Sequence, residues 1–305
     1  MPPGSLPVDD APARASASGH DLALVLSGGG ARGLAHIGVL QVVEALALPV
    51  DLVVGVSMGG IVAACYAAGL STDQMIELTR AMRVGDIFRP RPGRLQLVDG
   101  AGISAAVWQV FGDRRFSDLD RELVSVSSSV TSGEHYVIRD GLLADALVAS
   151  CSIPLIFPPV TVDGHQLVDG GMIDGMPITV ARNLGARRIV AVDASTHTHK
   201  VLRMPFVRHA ARGVVTILGH HERRRPAEVL DAVRIFTQVL DRATQPLTRP
   251  PVELLIRPVY GRLSMFDYHR WPEMISCGRA AGEAARLALV ALTAIPDAAL
   301  AAPDA

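Results

Sequence analysis

The chain has 305 residues, 49% of them hydrophobic and 19% charged, with 29 basic and 30 acidic side chains giving a formal net charge of −1. It is long enough to bury a full core, and its near-neutrality excludes the global positive field that draws nucleic acid. The three cysteines, Cys65, Cys151 and Cys277, are odd in number and widely spaced, which excludes a disulfide framework or zinc spacing and suits buried thiols in a reducing, cytoplasmic setting.

Residues 1–20 are rich in Pro, Ala, Ser and Asp without the apolar stretch of a signal peptide, and read as a disordered tail. Residues 22–26 form an uninterrupted apolar run ended by Ser27 and three glycines, the pattern of a strand buried on both faces. From Gly33, the residues Leu34, Ile37, Leu40, Val43 and Leu46 recur at helical spacing, and Pro49 closes the segment. A second buried strand is expected at 50–56 and a second helix at 58–69. Residues 52–70 carry no charge, and about eighteen apolar residues suffice for a membrane span. Gly55, Ser57, Gly59 and Gly60 interrupt the run, so a sharp strand-to-helix turn is the better reading.

A helix follows at 72–83, then a Gly-, Pro- and Arg-rich loop at 84–102, the place to expect a lid. Strands are expected at 123–129 and 136–138, a helix at 142–150, an irregular proline-bearing segment at 153–160, and a short strand at 166–168 running into Asp169-Gly170-Gly171. A helix at 177–184 and a buried strand at 189–193 complete the expected sheet. This alternation predicts an α/β fold, with helices on both faces of a mainly parallel sheet in three α/β/α layers. The domain expectation is a catalytic unit over 21–195, a helical C-terminal extension packed on it over 196–290, and a flexible tail over 291–305. Within the extension, 200–225 is rich in Arg and His around an apolar stretch; it fits either anionic headgroups or a solvated helix face.

Gly55-Val56-Ser57-Met58-Gly59 is a G-x-S-x-G after a buried strand and before an apolar helix. Small flanking residues permit a strained turn that raises the Ser57 hydroxyl at a helix N-terminus, where negative charge is favoured. So simple a pattern also arises by chance in a Gly- and Val-rich chain; its context argues against that. Ser27-Gly28-Gly29-Gly30-Ala31-Arg32-Gly33 exposes successive backbone N–H groups at another helix start. Gly28, Gly30 and Gly33 also fit the dinucleotide fingerprint, which requires an acidic residue closing the second strand. Asp51 opens that strand and Gly55 stands near its end, so an oxyanion hole is the better account, and without a Gly-Lys-Ser/Thr a P-loop is excluded. None of the ten histidines occupies a setting that marks it as a base. Asp169 can be aimed past Gly170 and Gly171, although Asp-Gly-Gly alone reads first as a turn.

Taken together, these stretches resemble the patatin-like phospholipase family. Residues 149–160, just upstream of Asp169, are similar to a further family segment. Ser117-Asp118-Leu119-Asp120 and Phe266-Asp267-Tyr268-His269-Arg270 resemble its bacterial, neuropathy-target-esterase-like branch. The resemblance implies a lipid acyl hydrolase in which Ser57 and Asp169 form a catalytic dyad without histidine. The oxyanion hole is then assigned to Gly28, Gly29, Gly30 and the N–H of Met58, with Arg32, Gly33, Gly55, Gly59, Gly170 and Gly171 as motif support. It implies phospholipid, lysophospholipid or other fatty acyl ester substrates met at a membrane surface, and no metal or cofactor. Ser27 departs from the aspartate of plant members, and Asp174-Gly175 from the asparagines of many relatives. Two rival readings are a histidine-dependent α/β-hydrolase and a nucleotide-binding or non-catalytic scaffold using the Gly28–Gly33 loop. Oligomeric state is not encoded in any motif.

Overall fold

The computed structural model describes residues 20–88, 99–154, 156–195 and 249–294. The expected N-terminal tail, the basic stretch 200–225, most of the expected lid loop and the last eleven residues lie outside these.

The chain opens with strand β1 (Leu22–Leu26), a 3-10 turn at Gly30–Leu34, helix α1 (Ala35–Ala45), β2 (Leu52–Val56) and α2 (Met58–Ala67). The uncharged stretch 52–70 is therefore a strand and a helix joined by a turn. No helix among the described residues is long and apolar enough to cross a membrane. Next come α3 (Thr72–Ala81), α4 (Val84–Ile87), α5 (Ala101–Phe111), β3 (Glu122–Ser129), β4 (His135–Ile138) and α6 (Leu143–Ser150). The series continues with β5 (Val160–Val162), β6 (His165–Asp169), α7 (Ile178–Asn183), β7 (Arg188–Val192), β8 (Leu254–Ile256), α8 (Trp271–Ala284) and α9 (Arg286–Ala294). Helix α3 begins with a reciprocal cap in which Ser71 and Gln74 satisfy each other's backbone N–H.

One eight-stranded sheet is formed by the described residues, with β2, β1, β7 and β8 as parallel neighbours and β3 parallel to β2. Strand β8 corrects the expectation that the sheet ends at 189–193, because the C-terminal segment returns to pair Leu254–Ile256 with Val190–Val192. Alternation along the strands divides the core. Leu22, Leu24 and Leu26 of β1 with Val190 and Val192 of β7 face one apolar cluster, shared with α1, α2, α3, α5, α6 and α8. Ala23, Val25, Ile189 and Ala191 face the other, which is covered by Met176 and α7. Period-2 side chains on strands buried on both faces thus produce the three layers.

Strand β3 organises one end of the sheet. Its residues Ser127 and Ser128 pair with both β4 and β6, while Ser125 and Val126 pair with both β4 and β2. Since a strand has two edges, β4 occupies one, and β2 and β6 follow one another along the other. Val56 is opposite Val126 and Asp169 opposite Ser127, so the ends of β2 and β6 abut at consecutive positions of a common neighbour.

The C-terminal segment packs into this body. Helix α8 crosses α1 in backbone contact: a Cβ on Gly278 would strike the Ala35 carbonyl, and one on Gly38 would strike the Ile275 carbonyl. Helix α5 has no counterpart in the sequence expectation, although Ile103, Val107 and Phe111 recur every fourth residue and are all buried.

Candidate active site

Ser57 sits between β2 and α2 with φ 55° and ψ −128°, a conformation that L-residues avoid and that costs on the order of 1–3 kcal/mol. The turn is possible because Gly59 lies against the carbonyls of Leu26 and Ser27, where a Cβ has no room. The Ser57 N–H donates to Ser150 Oγ at 2.9 Å, and its carbonyl accepts Ile61 N–H at 3.1 Å, starting α2. Ser57 is therefore the N-cap of a ten-residue helix, at the positive end of its dipole.

Asp169, only 3% exposed, ends β6 beside it. Its Oδ1 accepts the Gly171 N–H at 2.7 Å, and its own N–H donates to the Ser152 carbonyl at 2.9 Å. Burial pushes the Asp169 carboxyl up to about 6, and hydrogen bonds from the Ser57 hydroxyl and the Gly171 amide pull against that rise. A carboxyl so placed is a far better proton acceptor near neutrality than an exposed one. The Cys151 thiol, pushed up by burial, lines the same cavity as Ser57. Tyr268, raised likewise, lines the same cavity as Ser57 and Cys151.

The glycine loop is fastened at several points. Ser27 Oγ accepts the Ala194 N–H at 2.7 Å and donates to the Gly28 carbonyl at 3.0 Å, so serine at this position carries a structural duty. His36 is fully buried, and burial lowers it to about 4; the neutral ring donates from Nε2 to the Ser27 carbonyl at 2.8 Å. Ala31 N–H donates to the Met265 carbonyl at 2.8 Å. Arg32 Nε donates to the Leu263 carbonyl at 2.9 Å, and its guanidinium lies 5.2 Å from the Tyr260 ring centroid. Arg32 thus ties the loop to the C-terminal segment.

Gly28 is a correction to the sequence assignment. Its N–H donates to the Gly175 carbonyl at 2.9 Å, leaving it unable to receive an oxyanion. The N–H groups of Gly29, Gly30 and Met58 have no acceptor among the described residues. Gly33 packs on Met58, Gly55 on Gly60, and Gly170 on the Val126 carbonyl; these are supporting contacts. Asp51, which the dinucleotide reading lacked at the end of β2, instead caps β1 by accepting the N–H groups of Asp21 and Leu22.

A cavity of about 510 Å³ opens from Ser57, walled by Met58, Ile61, Met75, Ile103, Val107, Phe111 and Phe157. Its size is that of a small-molecule site, and its walls are largely aliphatic and aromatic. No histidine among the described residues lines it. The role of α5 in this wall and the closeness of Cys151 and Tyr268 to Ser57 escape the sequence reading. The periodicity of α5 is a usable signal, but no local signal shows that Cys151 and Tyr268 line one cavity with Ser57.

The family profile described as patatin-like phospholipase matches residues 24–182. Patatin-like phospholipase domain-containing protein 6 of Mus musculus is 34% identical over 187 residues, covering 59% of this chain and 14% of that protein. Lysophospholipase NTE1 of Saccharomyces cerevisiae is 32% identical over 185 residues, covering 59% of this chain and 11% of that protein. The chain therefore spans a small fraction of the length of these curated relatives. Among solved structures, VipD from Legionella pneumophila is similar with a TM-score of 0.55 at 13% identity, over 89% of this chain and 67% of that one, a likeness of fold.

Proposed function

Because the chain belongs to the patatin-like phospholipase family, we propose that it is a lipid acyl hydrolase in which Ser57 attacks the ester carbonyl and Asp169 takes its proton. The observation that carries this reading is that β2 and β6 end at consecutive positions of β3, which brings a serine held at positive φ beside the buried Asp169 carboxyl. As Ser57 Oγ bonds to the carbonyl carbon, its proton passes to Asp169. The carbonyl oxygen becomes an oxyanion facing the N–H groups of Gly29, Gly30 and Met58, each contributing about 3 kcal/mol by comparison with known oxyanion donors. Collapse breaks the ester C–O bond, and Asp169 returns the proton to the departing alcohol. Water then attacks the acyl-serine, Asp169 accepts a water proton and passes it to Ser57 Oγ, and the fatty acid leaves. No step requires a metal or an organic cofactor.

The apolar cavity suits an acyl chain, each buried methylene adding about 0.8 kcal/mol. Phospholipids and lysophospholipids are the substrates proposed, the latter favoured by the name of the yeast relative, and they are met at the surface of a membrane. Labelling by a fluorophosphonate, together with p-nitrophenyl acyl ester turnover by Ser57→Ala and Asp169→Asn, tests the dyad. Both variants are expected to lose on the order of 10⁴-fold or more in kcat. Activity surviving in Asp169→Asn but abolished by a single histidine substitution would favour the histidine-dependent rival.

A further inference from the structure

Both proposed catalytic residues are held through their main chains by two residues, Ser150 and Ser152, that the mechanism does not use. Ser150, the last residue of α6, has no solvent exposure. Its Oγ accepts the Ser57 N–H at 2.9 Å and donates to the Val126 carbonyl at 2.7 Å. Two residues on, the Ser152 carbonyl accepts the Asp169 N–H at 2.9 Å, and Ser152 Oγ donates to the Val148 carbonyl at 2.7 Å, anchoring the turn to α6. Between them, Cys151 lines the same cavity as Ser57. The Ser150 hydroxyl thus joins the strained turn after β2 to β3 at the residue adjoining Asp169's partner, Ser127.

We propose that Ser150 is a positioning residue, whose hydroxyl sets the orientation of Ser57 toward Asp169 as one arm of a bracket completed by the Ser152 carbonyl. The proposal rests on the dyad reading above. Its physical basis is that Ser57 occupies an unfavourable backbone conformation, which persists only where surrounding bonds over-determine it. The Ser57 N–H is the donor that would turn with the peptide plane if the residue relaxed. A single hydroxyl acting as acceptor and donor at once fixes that plane against the sheet. Alanine removes the bridge and leaves the buried Ser57 N–H without this acceptor.

The test measures single-turnover acylation and pH profiles of kcat/KM in the full chain for Ser150→Ala, Ser150→Thr and Ser150→Cys, with Ser57→Ala as reference. A displacement of about 1 Å at a reacting atom costs roughly 100-fold in rate, and Ser150→Ala is expected to show that loss in kcat with KM within about twofold. Ser150→Thr, which keeps the hydroxyl, is expected to stay within about tenfold of the parent. Because the Ser57 hydrogen bond lowers the Asp169 carboxyl, its weakening is expected to move the acid limb of the Ser150→Ala profile upward. If Ser150→Ala does not fold, Ser150→Cys carries the test, since a thiol fills the same space with weaker hydrogen bonds and is expected to lower kcat at least tenfold with the same upward shift. An unchanged kcat and acid limb in Ser150→Ala, or in Ser150→Cys where alanine does not fold, with Ser57→Ala inactive, overturns the bracket alone. Undiminished turnover by Ser57→Ala overturns both the dyad and the bracket.

Discussion

At the scale of single residues, Asp169 links activity to stability in opposite directions. Its folded-state value of about 6 is above the 3.8 of an ordinary aspartate, so the folded chain holds this proton more tightly than the unfolded chain. Its ionisation therefore costs stability as pH rises from about 4 to 6, on the order of 2–3 kcal/mol in all. In the proposed mechanism the ionised form is the base, so kcat/KM is expected to rise with an acid limb near pH 6 and level off above it. Asp169→Asn removes the buried charge, and thermal unfolding at pH 7.5 should show the inactive variant at least as stable as the parent; a large drop in Tm would contradict a carboxylate strained by burial. The glycine loop teaches a second lesson at this scale. Its N–H groups look equivalent in the sequence, yet Gly28 is spent on the remote Gly175 carbonyl. Only the folded chain distinguishes a structural donor from a free one.

At the scale of elements, strands β1, β2 and β7 are legible because they are short runs, apolar but for Arg188 at the start of β7, bounded by polar residues, and the Ser57 turn is legible because Gly55 and Gly59 flank the serine. Strand β8 is not, since Leu254–Ile256 is three residues long, follows Pro250 and Pro251 closely, and acquires its meaning only from β7. Ser57 and Asp169 are recognisable as motif residues, whereas the adjacency of their strands depends on the order of strands along β3, which no local pattern records. Helix α5 walls the cavity with Ile103 and Val107. Val107→Trp is expected to shift preference toward shorter p-nitrophenyl acyl esters while leaving fluorophosphonate labelling of Ser57 intact; an unchanged chain-length profile would place the acyl chain elsewhere. The α1–α8 crossing leaves no space for a side chain, and Gly278→Val is expected to destabilise the protein by about 3 kcal/mol or more, read as a lower urea midpoint.

For the molecule as a whole, the segment after residue 249 behaves as part of the body. Met274 and Leu289 are fully buried, β8 extends the sheet, and the Leu263 and Met265 carbonyls hold the glycine loop. A chain ending at Ser195 is expected to lose Ser57 labelling and to bind a hydrophobic dye; a labelled, cooperatively unfolding fragment would show the catalytic unit to be self-sufficient. The shared edge of β3 has a different consequence. Because β2 and β6 end against neighbouring residues of one strand, the separation of the alcohol and the acid is metered by the pitch of a pleated backbone. The more than one hundred residues of chain between them do not enter that measure. Helices α3 and α5, which lie between β2 and β3 in the chain, wall the cavity without entering the pairing of β2, β3 and β6, so substrate-facing side chains there can change without retuning the pair.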